Sequence, residues 1–173
     1  MIIAINAGHT LSGAGSGADY DCFNESKINR AIANEVIKQL KVKGHTVINA
    51  TVDKAETQNA YLKETCRIAN SSHAELFISF HCNVSADHKG SGVEAYTYKG
   101  RQLVVAVNVC KELSRLGFKN RGVKDGSNLY VIKNTSMPAI LVEVCFIDNQ
   151  ADRALFSYNG IKGITEAILK AIK

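Results

Sequence analysis

The feature that most constrains this chain is a near-continuous apolar run at residues 139–144, Ala-Ile-Leu-Val-Glu-Val, with one carboxylate inside it. A strand apolar on both faces needs cover on both sides, as in the middle of a parallel sheet. Residues 2–6 read as another buried strand and residues 76–80 as a strong one. Weaker strand patterns fall at 45–50, at 92–98 with period-2 alternation, and at 129–133. Between them lie helical patterns. From about Glu25 the apolar residues Ile28, Ile32, Val36, Ile37 and Leu40 recur at helical spacing until Lys43-Gly44 stops them. Further helices are predicted over 59–71, over 103–116 before Gly117, and over 160–173. This strand–helix alternation implies an α/β fold with a mostly parallel sheet and helices on its faces. The length of 173 residues fits one domain, 1–173, and no internal repeat or linker divides it.

Composition excludes several classes. Hydrophobic residues at 46% and a single Pro rule out a disordered chain. No apolar run approaches the ~20 residues of a membrane span, so membrane insertion is not expected. Met1 leads straight into Ile2-Ile3-Ala4-Ile5 without a basic segment, so the chain reads as synthesised in the cytoplasm without a signal peptide. The net charge of +5 suits a polyanionic partner, yet Lys and Arg are dispersed without interleaved aromatics, and no nucleic-acid partner is expected. Five scattered cysteines without a CxxC pair read as free thiols, each a small buried hydrophobe.

Ligands of open α/β sheets bind beyond the carboxyl ends of the strands. There the chain places Asn6-Ala7-Gly8-His9 after the first strand, Ser79-Phe80-His81-Cys82-Asn83 after the third, and Val142-Glu143-Val144 on the late strand. Glu25, at the start of the first long helix, can reach the same edge. Two imidazoles and a carboxylate form a common catalytic zinc set, and a second carboxylate beside them can act as general base. Each residue also has a plainer reading. His9 and His81 fit hydrogen-bonded histidines at strand ends, and Glu25 fits a carboxylate at a helix N-terminus. Glu143 is harder to set aside, because a carboxylate in an apolar strand is costly without a partner. His45, His73 and His88 fall in polar stretches and read as solvated. The segment Gly13-Ala14-Gly15-Ser16-Gly17 does not open a helix directly, as a dinucleotide fingerprint must, and reads as a flexible loop near the site. A Cys82–His81 nucleophile pair is geometrically poor, since neighbours on a strand face opposite ways.

Several blocks, in order, resemble the zinc N-acetylmuramoyl-L-alanine amidases of the Amidase_3 type, found in bacterial autolysins and phage endolysins. They are the strand ending in Gly8-His9, Asn24-Glu25, Ala69-Asn70 with Leu76-Phe77-Ile78-Ser79-Phe80-His81-Cys82-Asn83, and Gly92-Val93-Glu94-Ala95-Tyr96. To these are added Asn120-Arg121-Gly122-Val123-Lys124 and Met137-Pro138-Ala139-Ile140-Leu141-Val142-Glu143-Val144. The resemblance covers nearly the whole chain. It implies a twisted sheet of about six strands flanked by helices, zinc on His9, Glu25 and His81, and Glu143 as catalytic acid/base. It also implies peptidoglycan as substrate, cut between N-acetylmuramic acid and L-alanine, with action at the cell wall. Thr10, Leu11 and Ser12 depart from the family's glycines, and Cys145 stands where it usually has Gly.

Within that resemblance, the missing leader favours a phage endolysin over an autolysin or sporulation enzyme, and the positive charge suits anionic wall polymers. The rival readings are a catalytically silent wall-binding or regulatory domain, a zinc hydrolase cutting within the peptide, and a cytosolic metallohydrolase of another amide.

Overall fold

The structure is a computed structural model and describes residues 1–172. In chain order the elements are β1 (Ile2–Ala7), β2 (Asp19–Tyr20), β3 (Phe23–Asn24), α1 (Glu25–Val42), β4 (Thr46–Asn49), α2 (Gln58–Ser71) and β5 (Leu76–Asn83). There follow β6 (Val93–Thr97), α3 (Val104–Ser114), β7 (Asn120–Asp125), α4 (Tyr130–Asn134), β8 (Ala139–Phe146) and α5 (Gln150–Ala171). Six strands form one sheet in the order β4-β1-β5-β8-β6-β7. All neighbouring pairs are parallel except β6 and β8, which are antiparallel. The α/β class and the mostly parallel six-stranded sheet match the sequence reading.

The apolar strands explain the order. β1, β5 and β8 carry the longest apolar runs and occupy the middle, where both faces are covered. On one face Ile3, Ile5, Ile78, Phe80, Ile140 and Val142 pack beneath α1, α3 and α5. On the other, Ala4, Phe77 and Leu141 pack beneath α2 and α4, with Cys66, Ala69, Val131 and Ile132 supplied by those helices. The second cover is smaller, because α4 has only five residues. This asymmetry leaves the second face open at the carboxyl ends of β1, β5 and β8.

Three elements differ from the sequence reading. Residues 129–133 were expected as a strand, but Tyr130–Asn134 is the short helix α4, capping the second face with Val131 and Ile132 buried. The four-residue apolar run Leu129–Ile132 has no periodicity to decide between the two states, and packing decides it. The segment Asn120–Asp125 is an edge strand whose charged and glycine residues hide its pattern. The last helix starts at Gln150, where the Asn149 side chain accepts from the N–H groups of Ala151 and Asp152. It breaks at Gly160, whose φ of 62° and ψ of 175° are not helical. Lys173, included in the expected helix, lies outside the described residues. Among the described residues, no helix is long and apolar enough to cross a membrane.

Candidate metal centre and catalytic cleft

Because β1 and β5 end side by side, the backbone delivers His9 and His81 to one place: the Gly8 N–H still bonds the Phe80 carbonyl at 2.9 Å. A Cβ on Gly8 would overlap the His81 ring, so glycine there is what allows the two segments to approach. Glu25 arrives from the other side of the sheet. The β2–β3 hairpin turns the chain back, Asn24 caps α1 by accepting from the Lys27 N–H at 2.9 Å, and Glu25 starts the helix.

The three side chains meet on Glu25 Oε1, which lies 3.0 Å from His9 Nε2 and 3.2 Å from His81 Nδ1. Glu25 is itself well held. Its Oε2 accepts from the Ala18 N–H at 2.9 Å and its Oε1 from the Cys82 N–H at 3.2 Å. His9 adopts a positive φ of 68°. That strained backbone is braced by its N–H to the Tyr61 hydroxyl at 2.8 Å and by its carbonyl, which accepts from Arg30 Nη2 at 2.9 Å. His9 Nδ1 faces the Gly15 carbonyl at 3.0 Å, which orients the ring so that Nε2 points at the cluster and can bind a metal in place of its proton.

The donor set fits a zinc ion. One ligand atom from each of His9, Glu25 and His81 lies within 4.8 Å of the other two, and two imidazoles with a carboxylate are a common zinc combination. The two short separations approach the roughly 3.3 Å expected between tetrahedral ligands about 2.0 Å from a shared zinc. Electrostatics act differently on the three groups: at His9 burial lowers the pKa, but the hydrogen bond and charge of Glu25 outweigh it and raise it. Burial alone would raise the Glu25 pKa, but hydrogen bonds from His81 and His9 outweigh it and hold the carboxyl well below the ordinary range. Burial is likewise the largest influence on His81, and it pushes this imidazole toward the neutral form that binds metals.

Glu143 stands beside this cluster, paired in register with His81 across β5 and β8. Its Oε2 is buried and has no hydrogen-bond partner among the described residues. Burial first, then the charges of Glu25 and Glu94, push its pKa well above the usual carboxylate value. A cavity of about 390 Å³ opens over His9, His81 and Glu143, with Tyr61, Leu129 and Leu141 among its walls. Thus His9, His81 and Glu143 line one cleft, and the buried Glu25 meets the two histidines behind it.

Other sequence expectations fare variously. The Gly13–Gly17 loop does lie at the site, folded back so that the Gly15 carbonyl meets both the Thr10 N–H and His9 Nδ1. Cys82 is buried in the first-face core, away from a nucleophile's position, and four of the five free cysteines are buried, Cys22 being exposed. His73 is exposed and His45 is half-buried. His88 is exposed as expected, but it is engaged, with Nδ1 2.9 Å from the buried Asp148 carboxylate. Arg30, Tyr61 and Gly17 were missed. A Cβ at Gly17 would press on both His9 and Glu25. Arg30 lies five residues after Glu25 in α1, about 140° round the helix from it, so helical spacing gave no signal for it.

Comparison with known proteins gives the family and the fold. A family described as N-acetylmuramoyl-L-alanine amidase matches residues 3–173. An uncharacterised protein of Clostridium perfringens is 34% identical over 99% of this chain and 51% of its own length. The endolysin of Bacillus phage SPP1 is 32% identical over 89% of this chain and 58% of its own. The chain thus spans about half the length of the curated relatives it matches. Among solved structures, the catalytic domain of the CD27L endolysin, which targets Clostridia difficile, superposes with a TM-score of 0.89 at 30% identity, covering 99% of this chain and 96% of that one.

Proposed function

Because the chain belongs to the N-acetylmuramoyl-L-alanine amidase family, we propose that it hydrolyses the amide joining N-acetylmuramic acid to L-alanine in bacterial peptidoglycan, with zinc held by His9, Glu25 and His81. The observation that carries this reading is the half-buried Glu143, whose Oε2 is buried without a hydrogen-bond partner among the described residues, in register beside a cluster of metal-ligating side chains at an open cleft.

When bound, zinc supplies a Lewis acid for the scissile carbonyl and lowers the pKa of a coordinated water to about 7. The remaining chemistry belongs to the chain. Glu143 takes a proton from the attacking water and returns it to the departing alanine nitrogen. Its raised proton affinity suits both halves of that transfer, since a base nearer neutrality gives the proton back more readily. His9, held by the Gly15 carbonyl on one ring nitrogen, keeps the other free for the metal. Tyr61 and Arg30 hold the His9 backbone in its strained conformation, so the ligand does not swing out of the cleft. Leu129 and Leu141 give the cleft apolar walls that limit water around the reacting groups.

We favour lysis of a bacterial wall at the end of a phage cycle over a secreted autolysin or a sporulation enzyme, with the likeness to two endolysins as support. Bacterial amidases, one of them germination-specific, match as well. The net charge of +5 suits adhesion to anionic wall polymers, which added salt should weaken. The test is digestion of purified peptidoglycan by metal-loaded protein, with and without chelator, followed by mass spectrometry. Stem peptides with a free L-alanine amino terminus, lost on chelation and restored by zinc, are expected. An intact wall under every metal condition, or fragments cut within the peptide, would overturn the reading.

A further inference from the structure

The row of polar side chains does not stop at Glu143. Glu94 lies directly opposite it on the antiparallel strand β6, and directly opposed residues point to the same face. The reversal of β6 also brings the starts of β6 and β7 to the edge where β1, β5 and β8 end. His81, Glu143, Glu94 and Arg121 therefore line up across four adjacent strands.

Glu94 is 2% exposed, and all its acceptor capacity is used. Its Oε1 accepts from the Tyr96 hydroxyl at 2.7 Å and from Asn83 Nδ2 at 3.1 Å. Its Oε2 accepts from Arg121 Nε at 2.6 Å and from Lys124 Nζ at 2.7 Å. The strand pairing is bent to allow this. Between the pairs Val93–Asn120 and Ala95–Val123, two residues of β7 oppose one of β6, and the extra residue is accommodated by Gly122 at a φ of 75°. That bulge aims Arg121 at Glu94, and its guanidinium also lies over the Phe146 ring at 5.0 Å. Two cations around one carboxylate leave the group with a net charge of +1. Arg121 commits only Nε to Glu94, and its Nη groups make no hydrogen bond among the described residues. Arg121 is 28% and Lys124 37% exposed at the side chain, so both present charge to solvent while fixed in direction.

We propose that Arg121 and Lys124, held in place by Glu94, form a subsite for a carboxylate on the peptide side of the scissile amide. The inference rests on the amidase reading and adds a grip on the substrate one and two strands beyond Glu143, past the residues that line the cavity. Two strand spacings of about 4.8 Å separate β8 from β7. A peptide advances at most about 3.5 Å per residue, so the carboxylate in reach belongs to the second or third residue after the cut. In a stem peptide the second residue is a γ-linked glutamate whose α-carboxyl is either free or amidated. A rigid Arg fork and a neighbouring ammonium match the free carboxylate and gain nothing from the amide. Glu94 is a positioning residue here, since it acts on substrate only through the two cations.

Binding of the released peptide tests the subsite without turnover. The probe is L-alanyl-γ-D-glutamyl-L-lysinamide with its glutamyl α-carboxyl free or amidated, titrated by NMR into the zinc-loaded protein. Wild type is expected to bind the free acid about tenfold tighter than the amide. Lys124→Met and Arg121→Gln should each bring that ratio toward one, and Lys124→Arg should largely keep it. Equal binding of acid and amide by wild type, or a preference that survives both charge-removing variants, would overturn the subsite. The wall digest judges the amidase reading separately, because it asks which bond is cut and not which peptide is held.

Discussion

On the face of the sheet covered by α1, α3 and α5, Ile3, Ile5, Ile78, Ile140 and Val142 are sealed from solvent. On the face under α2 and α4, β5 and β8 carry Ser79, His81 and Glu143, and the neighbouring β6 carries Glu94. Alternation along each strand produces both faces from one sequence, so every strand contributes to a core and to a site. What separates them is the cover. Long amphipathic helices close the first face, and a five-residue helix leaves the second open at one edge. Stability and chemistry are thereby assigned to opposite sides of a single layer, and substitutions on the two sides should have different readouts.

The largest effect should come from the open face. Glu143→Gln is expected to lower turnover by on the order of 10³-fold while zinc content, measured by metal analysis, stays stoichiometric. His81→Ala should instead lose both activity and metal. An active Glu143→Gln protein would break the comparison, because the open face would then hold no proton carrier at this position. The mirror experiment is on the sealed face. Ile140→Ala removes a fully buried side chain and should cost roughly 2–5 kcal/mol in denaturant unfolding, with activity per folded molecule retained. If Ile140→Ala lowered kcat without lowering stability, the division of labour between the faces would fail.

Much of this was legible in the sequence, for reasons tied to particular residues. The strands β1, β5 and β8 announce themselves as buried apolar runs, and the rule that ligands gather at strand ends then selects His9, His81 and Glu143. Glu25 was legible as the first residue of a strongly periodic helix. What escaped depends on contacts distant in sequence. Tyr61 touches His9 across 52 residues, and nothing in α2 marks its hydroxyl as a brace. Strand β7 was hidden because an edge strand with a bulge needs neither alternation nor apolar residues. The helix α4 was misread as a strand because the four apolar residues Leu129–Ile132 carry no period, and only the gap they fill fixes their state.

A smaller effect separates the buried carboxylates by pH. Glu143 has a folded pKa raised above 4.5, so the protonated folded form is favoured at low pH and stability is lost as pH rises toward the folded pKa. In metal-free protein, Glu143→Gln should therefore gain stability relative to wild type above pH 4.5, by at most about 1.4 kcal/mol per pH unit. Glu25 has the opposite sign. Its folded pKa is lowered, so its contribution is present above 4.5 and lost as pH falls below it. Thermal melts of the two proteins between pH 4 and 7 measure the divergence, and parallel curves would show that Glu143 ionises freely in the fold.

The smallest expected effect tests whether the open face is held together for its chemistry or for the fold. Tyr61→Phe removes the acceptor for the His9 N–H and nothing else in the cleft. An unsatisfied, partly buried N–H costs about 1–2 kcal/mol, comparable with many surface changes and well below the loss at Ile140. His9 sits at a φ of 68°, however, and the hydroxyl is one of two groups bracing that backbone, Arg30 being the other. Relaxing it should misalign a metal ligand, so zinc affinity should fall by about tenfold, the range for groups that orient ligands from behind. Competition with a chelator measures this directly. A Tyr61→Phe protein that melts earlier yet binds zinc as wild type does would make Tyr61 part of the core. One that melts normally and loses zinc would show that the open face spends its hydrogen bonds on the site.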